Sequence, residues 1–215
     1  MKLWKENKGF IVITSLITLL PMAIGIPLWQ ELPDTVATHF GSGNEPNGWS
    51  SREFAVFGLP LFCLAAHLVS AAFTAVDPKK QGIGRKVYRM LILICPAASL
   101  VCGLSIYSYA LSWDINIEFC VKLFMGILLI IVGNYLPKIR QNYTVGLKFP
   151  WALHNEENWN RTHRLAGGLW MLAGAFFILD AWLNLRGMWF IFAGMVLVPA
   201  VYSLILYLRK QSQSS

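Results

Sequence analysis

The chain has 215 residues, 56% of them hydrophobic and 13% charged, and carries a formal net charge of +7. A soluble domain usually holds about twice that charged share, so no soluble domain of useful size is expected beside the apolar runs. The basic excess flanks those runs, where anionic lipid lies, and direct nucleic-acid binding is not needed to explain it.

Apolar stretches of the length that spans a bilayer, about 20 residues, occur near 10–29, 54–76, 90–111, 119–136, 165–184 and 188–208. They predict an all-α fold, a polytopic membrane protein of six transmembrane helices. The first run follows Lys2, Lys5 and Lys8 but is too long for a signal peptide and lacks a small-residue cleavage pattern. It reads as a retained helix. Pro21 and Pro27 in its outer half require neighbouring helices to satisfy the freed carbonyls.

One set of flanks holds Lys2, Lys5, Lys8, Lys79, Lys80, Arg85, Lys86, Arg89, Lys138, Arg140, Lys148, Arg161, Arg164, Arg209 and Lys210; the other holds only Arg52 and Arg186. That asymmetry predicts cytoplasmic N and C termini. The expected organisation is an N-terminal helical hairpin, 1–76, with a compact extracellular loop at 30–53. A four-helix region, 77–215, follows it and carries a cytoplasmic segment at 137–168.

The outer loop, ELPDTVATHFGSGNEPNGWSSREF, is rich in turn formers and reads as a compact loop rather than a helix. Two readings stand for it. It is a lid pinning the first two helices, with His39 bonded to backbone. Alternatively it is a recognition surface in which His39, Phe40, Asn44, Asn47, Trp49 and Arg52 meet an extracellular ligand. Trp49 and Phe40 suit the membrane interface. The acids Glu31, Asp34, Glu45, Glu53, Asp114 and Glu118 favour a cationic peptide, weakly because exposed charges are screened.

Four cysteines, Cys63, Cys95, Cys102 and Cys120, fall inside expected spans as apolar fillers, and no CxxC pair argues for zinc or redox chemistry. QGIGR at 81–85 is a basic turn without the strand and helix context of a phosphate loop. His67 lies near mid-membrane and is expected to face the bundle, bonded to a hydroxyl such as that of Ser99. Lys122 and Asp180 fall at similar depth near the same ends of adjacent antiparallel helices and are expected to pair, with Glu118 the competing partner for Lys122.

The inner segment runs GNYLPKIRQNYTVGLKFPWALHNEENWNRTHRLAGG. Pro150 presets a turn, and Asn155 is the predicted N-cap of a helix that carries Glu156 and Glu157 in its first turn and continues into the fifth span. Trp159, Thr162, His163 and Ala166 share one face, expected toward the bundle. Asn158, Thr162 and His163 are expected to bond Asn134, Tyr135 or Asn142, while Arg161 and Arg164 face headgroups. The set His154, Glu156, Glu157 and His163 lacks HExxH spacing, so neither metal nor cofactor is expected. The Ser/Gln-rich tail, 211–215, is expected to fray. Gly167, Gly168 and Gly174 permit close helix packing, inside one chain or between two.

This inner stretch is similar to the signature of the SdpI family of bacterial membrane proteins. There a run of the form N-Y-x-P-K-I-x-x-N-Y-x-x-G leads through P-W-x-L into a T-H-R-x-G-G segment. Asn134, Tyr135, Pro137, Asn142, Tyr143, Gly146, Pro150, Trp151, Asn158, Trp159, Thr162, His163 and Arg164 lie in the corresponding stretch. The outer loop resembles the small domain of unknown function that often accompanies that family. His154 replaces a small polar residue, and Asn47 a common Asp. The resemblance implies immunity to, or sensing of, a secreted toxic peptide, with a cytoplasmic transcriptional repressor as a further partner and no catalysis; membrane lipid is the partner that the flanking basic residues imply. Two alternatives stay open: a membrane-embedded hydrolase using the inner His/Glu cluster, and a small peptide transporter drawing on His67, Lys122 and Asp180.

Overall fold

The computed structural model describes residues 2–79, 83–185 and 187–214. Lys80, the start of the basic turn at 81–82, Arg186 and the final Ser215 lie outside them. Among the described residues six helices are long and apolar enough to cross a membrane: Lys8–Gly25, Phe54–Val76, Arg85–Ala110, Ile117–Lys138, Glu156–Leu183 and Met188–Ser212. All six expected spans are present, several with polar extensions that hydropathy alone does not count. Packing divides the chain into two compact units, one of residues 1–72 with 89–121 and one of residues 73–88 with 122–215.

In the first unit a short helix, α1 (Lys2–Glu6), leads into α2 (Lys8–Thr18) and α3 (Leu20–Gly25), which together make the first span. The break falls at Leu19, two residues before Pro21, whose ring and missing N–H disrupt the ladder. Two hydroxyls of α5 (Arg85–Ala110) reach carbonyls around the break: Ser99 Oγ donates to the Thr18 carbonyl at 2.8 Å and Tyr107 Oη to that of Pro21 at 2.9 Å. These are the neighbours that a proline in a membrane helix requires.

The outer loop is more regular than expected. Strands β1 (Thr35–Phe40) and β2 (Pro46–Ser51) form an antiparallel hairpin with Thr35 opposite Ser51 and Val36 opposite Ser50, and its register shifts beyond Ala37. β-branched Thr35, Val36 and Thr38 and aromatic Phe40 suit a pleated strand. The turn uses Gly43 at φ 75° and Asn44 at φ 63°. Val36 is packed with Leu32, Ala55, Val56, Ile106 and Tyr107 in one buried cluster, which seats the hairpin on the first unit's helices. The chain then enters α4 (Leu59–Val76) through a π-helical turn, Phe54–Gly58.

The second unit takes in α6 (Ile117–Tyr135) from Lys122 onward; the helix tightens into a 3₁₀ turn at Leu136–Lys138, and α7 (Glu156–Leu183) returns antiparallel to it. Gly126 and Gly133 on α6 face Gly174 and Gly167 on α7. A Cβ at Gly167 would fall 2.7 Å from the Gly133 carbonyl oxygen, and one at Gly174 would fall 2.5 Å from that of Gly126. Only glycine permits this approach. Gly168 faces open space and takes no part in this pairing within the chain. α7 ends at Asn184 in the left-handed conformation, and α8 (Met188–Ser214) closes the unit. The expected fraying does not occur over the described tail. Gln211 donates to Tyr207 Oη at 2.8 Å and Ser212 Oγ to the Arg209 carbonyl at 2.9 Å, both local bonds along one continuous helix.

Candidate functional site

Asn155 caps α7 as expected, its side chain accepting the Asn158 N–H at 3.2 Å. From that cap, helical spacing buries Trp159, Thr162, His163 and Ala166 on one face. His163 is held at both nitrogens. Nδ1 lies 2.9 Å from the Trp159 carbonyl and Nε2 accepts the Leu147 N–H at 3.0 Å, a pairing that puts the ring's proton on Nδ1. The imidazole stacks on the Trp159 indole with centroids 4.1 Å apart, and the indole N–H donates to the Ile139 carbonyl at 2.8 Å. Gly146, at φ 109°, sits so close to His163 Nε2 that a Cβ would collide with the ring.

The partners expected for this face were misassigned. Asn158 donates to the Ser203 carbonyl at 2.8 Å and accepts from Ser203 Oγ at 2.6 Å and Thr162 Oγ1 at 3.0 Å. Trp151 donates from its indole to the same Ser203 hydroxyl at 2.9 Å. Asn158 is therefore tied to α8, and His163 to the loop at Leu147, rather than to the end of α6. Asn134 instead accepts from Lys138 at 3.1 Å, and the Lys138 ammonium lies over the Tyr135 ring. Pro137 packs toward Gly167.

Asn142 organises its own loop. Its carbonyl oxygen accepts the N–H groups of Thr144 at 3.0 Å and Val145 at 2.6 Å, while its amide donates to the carbonyls of Arg140 and Val145. Asp77, which sequence reasoning passed over, anchors that loop from the end of α4. Its Oδ2 accepts the Tyr143 N–H at 3.0 Å and Thr144 Oγ1 at 2.7 Å, and its Oδ1 takes the Lys79 N–H at 2.7 Å. Lys79 also lies over the Tyr143 ring. A lone acid followed by proline at the end of an apolar run was the available signal. Pro150 opens a tight turn whose carbonyl lies 3.2 Å from His154 Nδ1. His154, Arg161 and Arg164 are exposed, and Arg161 pairs with Glu157 at 3.0 Å. The inner His/Glu set is thus not assembled as a ligand group: His163 is buried with both nitrogens engaged and His154 points elsewhere.

The outer candidates split by role. Arg52 is a strut, donating to the carbonyls of Trp29 and Leu32 at 2.9 Å each, pairing with Asp34 at 2.9 Å and lying over the Trp29 ring. Asn44 accepts the Glu118 N–H at 2.6 Å and donates to Asn116 at 3.2 Å, and Glu118 accepts the Gly43 N–H at 2.7 Å. Phe40 packs edge-on against Tyr109. His39 bonds the Asn47 side chain across the hairpin rather than backbone. Trp49 is 58% exposed at the strand surface.

Within the spans, Lys122 and Asp180 pair as expected, Nζ to Oδ2 at 2.9 Å, and Asn184 accepts from the same ammonium at 3.3 Å. His67 is fully buried and bonded to a hydroxyl as expected, that of Thr14, with Nε2 to Oγ1 at 3.1 Å; Ser99 is engaged with the proline break instead. The four cysteines are free thiols. Cys102 and Cys120 are exposed on the protein surface rather than buried as fillers.

Six apolar helices, buried polar ties between them and a structured hairpin define a multi-pass protein of the bacterial cell membrane. Residues 138–207 match the SdpI/YfhL protein family, and residues 16–64 match a domain of unknown function, DUF1648. The C-terminal third of the chain is thus similar to the SdpI/YfhL family, and the match to the other domain precedes it. It is 29% identical over 165 residues to the Immunity protein SdpI of Bacillus subtilis (strain 168), covering 76% of this chain and 77% of that one. No solved structure matches it.

Proposed function

We propose that this protein confers immunity to a secreted, membrane-active peptide. The observation that carries the reading is the likeness to an immunity protein along three quarters of both chains. In this reading the β1–β2 hairpin meets the peptide on the extracellular side. Arg52 and Asn44 hold the hairpin in shape, leaving Trp49, His39 and Asn47 as the contact surface. The loop 139–155 and the capped start of α7 form a rigid cytoplasmic surface on which a repressor docks. The hydrolase reading is less well supported, since His163 is committed to fixing the loop rather than available to a substrate.

The test is protection of peptide-sensitive cells expressing this chain and challenged with the toxin. Protection should be lost in Trp49→Ala and His39→Ala at unchanged membrane abundance, because neither change disturbs the helices. Survival of full protection in both variants would remove the hairpin from the reading. No protection by the parent chain would remove immunity itself.

A further inference from the structure

A cleft of about 320 Å³ lies between the first turns of α7 and the last turns of α8. Its lining is Asn155, Glu157, Asn158, Arg161, Leu206, Arg209 and Lys210. We infer that this cleft binds a phosphate-bearing anion, and specifically the headgroup of an anionic phospholipid.

Three cations face one carboxylate there, and that carboxylate is already paired with Arg161. The floor is Asn158, buried and fully engaged with Ser203 and Thr162, so the cleft has a fixed base. The N-terminal end of a 28-residue helix adds partial positive charge to the same space. Depth selects the source of the anion. Arg209 and Lys210 immediately follow the apolar run of α8, and Arg161 comes just before the apolar run of α7 begins at Leu165. The cleft therefore sits at headgroup level, where a phosphodiester can be reached by guanidinium groups while its acyl chains lie along α8 beyond Leu206. Arginine's planar fork suits phosphate oxygens. Basic pockets between membrane helices at that level are suited to anionic headgroups.

The experiment uses the full chain in nanodiscs of phosphatidylcholine, with phosphatidylglycerol titrated in, or with inorganic phosphate added to phosphatidylcholine alone. Thermal unfolding and native mass spectrometry of retained lipid are the readouts. The parent chain should be stabilised by phosphatidylglycerol and retain it on release from the disc. The double variant Arg161→Gln/Arg209→Gln should bind it roughly thirtyfold more weakly, as two cation contacts would give. Lys138→Gln, a surface cation away from the cleft, should bind as the parent does. A response to inorganic phosphate alone would uphold the anion site but assign it to a soluble phosphate. Equal retention of phosphatidylglycerol by parent and double variant, or an equal loss in Lys138→Gln, would overturn the site. Because the readout is lipid binding, its outcome is independent of whether the chain protects cells from a peptide.

Discussion

Gly146 concentrates two constraints in one residue. Its φ of 109° is open to glycine and strained for other residues, and the space its Cβ would fill is occupied by His163 Nε2. Gly146→Ala should therefore destabilise by about 2 kcal/mol or more, from backbone strain of roughly 1–3 kcal/mol together with a displaced imidazole. Thermal unfolding in detergent measures it, and an unchanged midpoint would show that the loop relaxes freely. Asp77 supplies a second residue-scale test. One carboxylate accepts three hydrogen bonds, two of them from residues 143 and 144. Asp77→Ala orphans those donors at a cost of roughly 1–3 kcal/mol. The backbone amides of 143–147 should then exchange with solvent much faster than those of α7, as hydrogen–deuterium exchange would read.

At the scale of elements, the α6–α7 pair is held by glycine-to-carbonyl approach at two levels, Gly126 with Gly174 and Gly133 with Gly167, and by Lys122–Asp180 toward one end. Both charged side chains are nearly inaccessible, 9% and 1% exposed. Removing either partner leaves a buried charge and should cost about 3–5 kcal/mol. The swap Lys122→Asp/Asp180→Lys should recover most of that loss, measured as the unfolding midpoint against each single variant. If the double variant is no better than the worse single one, the pair is not the source of the stability. This pair was readable in advance because depth in a bilayer is set by counting residues from helix ends. So was the α7 N-terminus, where Asn155 precedes two acids. The hairpin was not, because the turn formers at 41–48 mask the short alternation of Thr35–Phe40. Nor were the partners of Asn158 and His67. Hydroxyls are common in these helices, and which one a buried side chain meets depends on helix rotation, which one sequence does not specify. Ser203 is a lone hydroxyl in an apolar run, a cue that acquires meaning only once α8 is seen beside α7.

For the whole molecule, the count of flanking cations makes a prediction about sidedness. In a background lacking the four native cysteines, Asn47→Cys should react with a membrane-impermeant maleimide in intact cells. Asn160→Cys should react only after permeabilisation. Both positions are exposed on the protein, so access is decided by the membrane alone. The opposite pattern would invert the topology and with it the assignment of the hairpin to the peptide-facing side.

The junction of Trp151, Asn158, Thr162 and Ser203 has a consequence for movement. Four hydrogen bonds of 2.6–3.0 Å converge on two side chains and one carbonyl. Two of them share the Asn158 side-chain oxygen, and the Ser203 hydroxyl both accepts from Trp151 and donates to Asn158, so the set is interlocked. Sliding or turning α8 by a single residue would break all those that reach Ser203 at once. The two helices are geared there, with a tooth in one notch. Any message carried through this end of the protein must pass as displacement of α7 and α8 together, or wait for the tooth to lift.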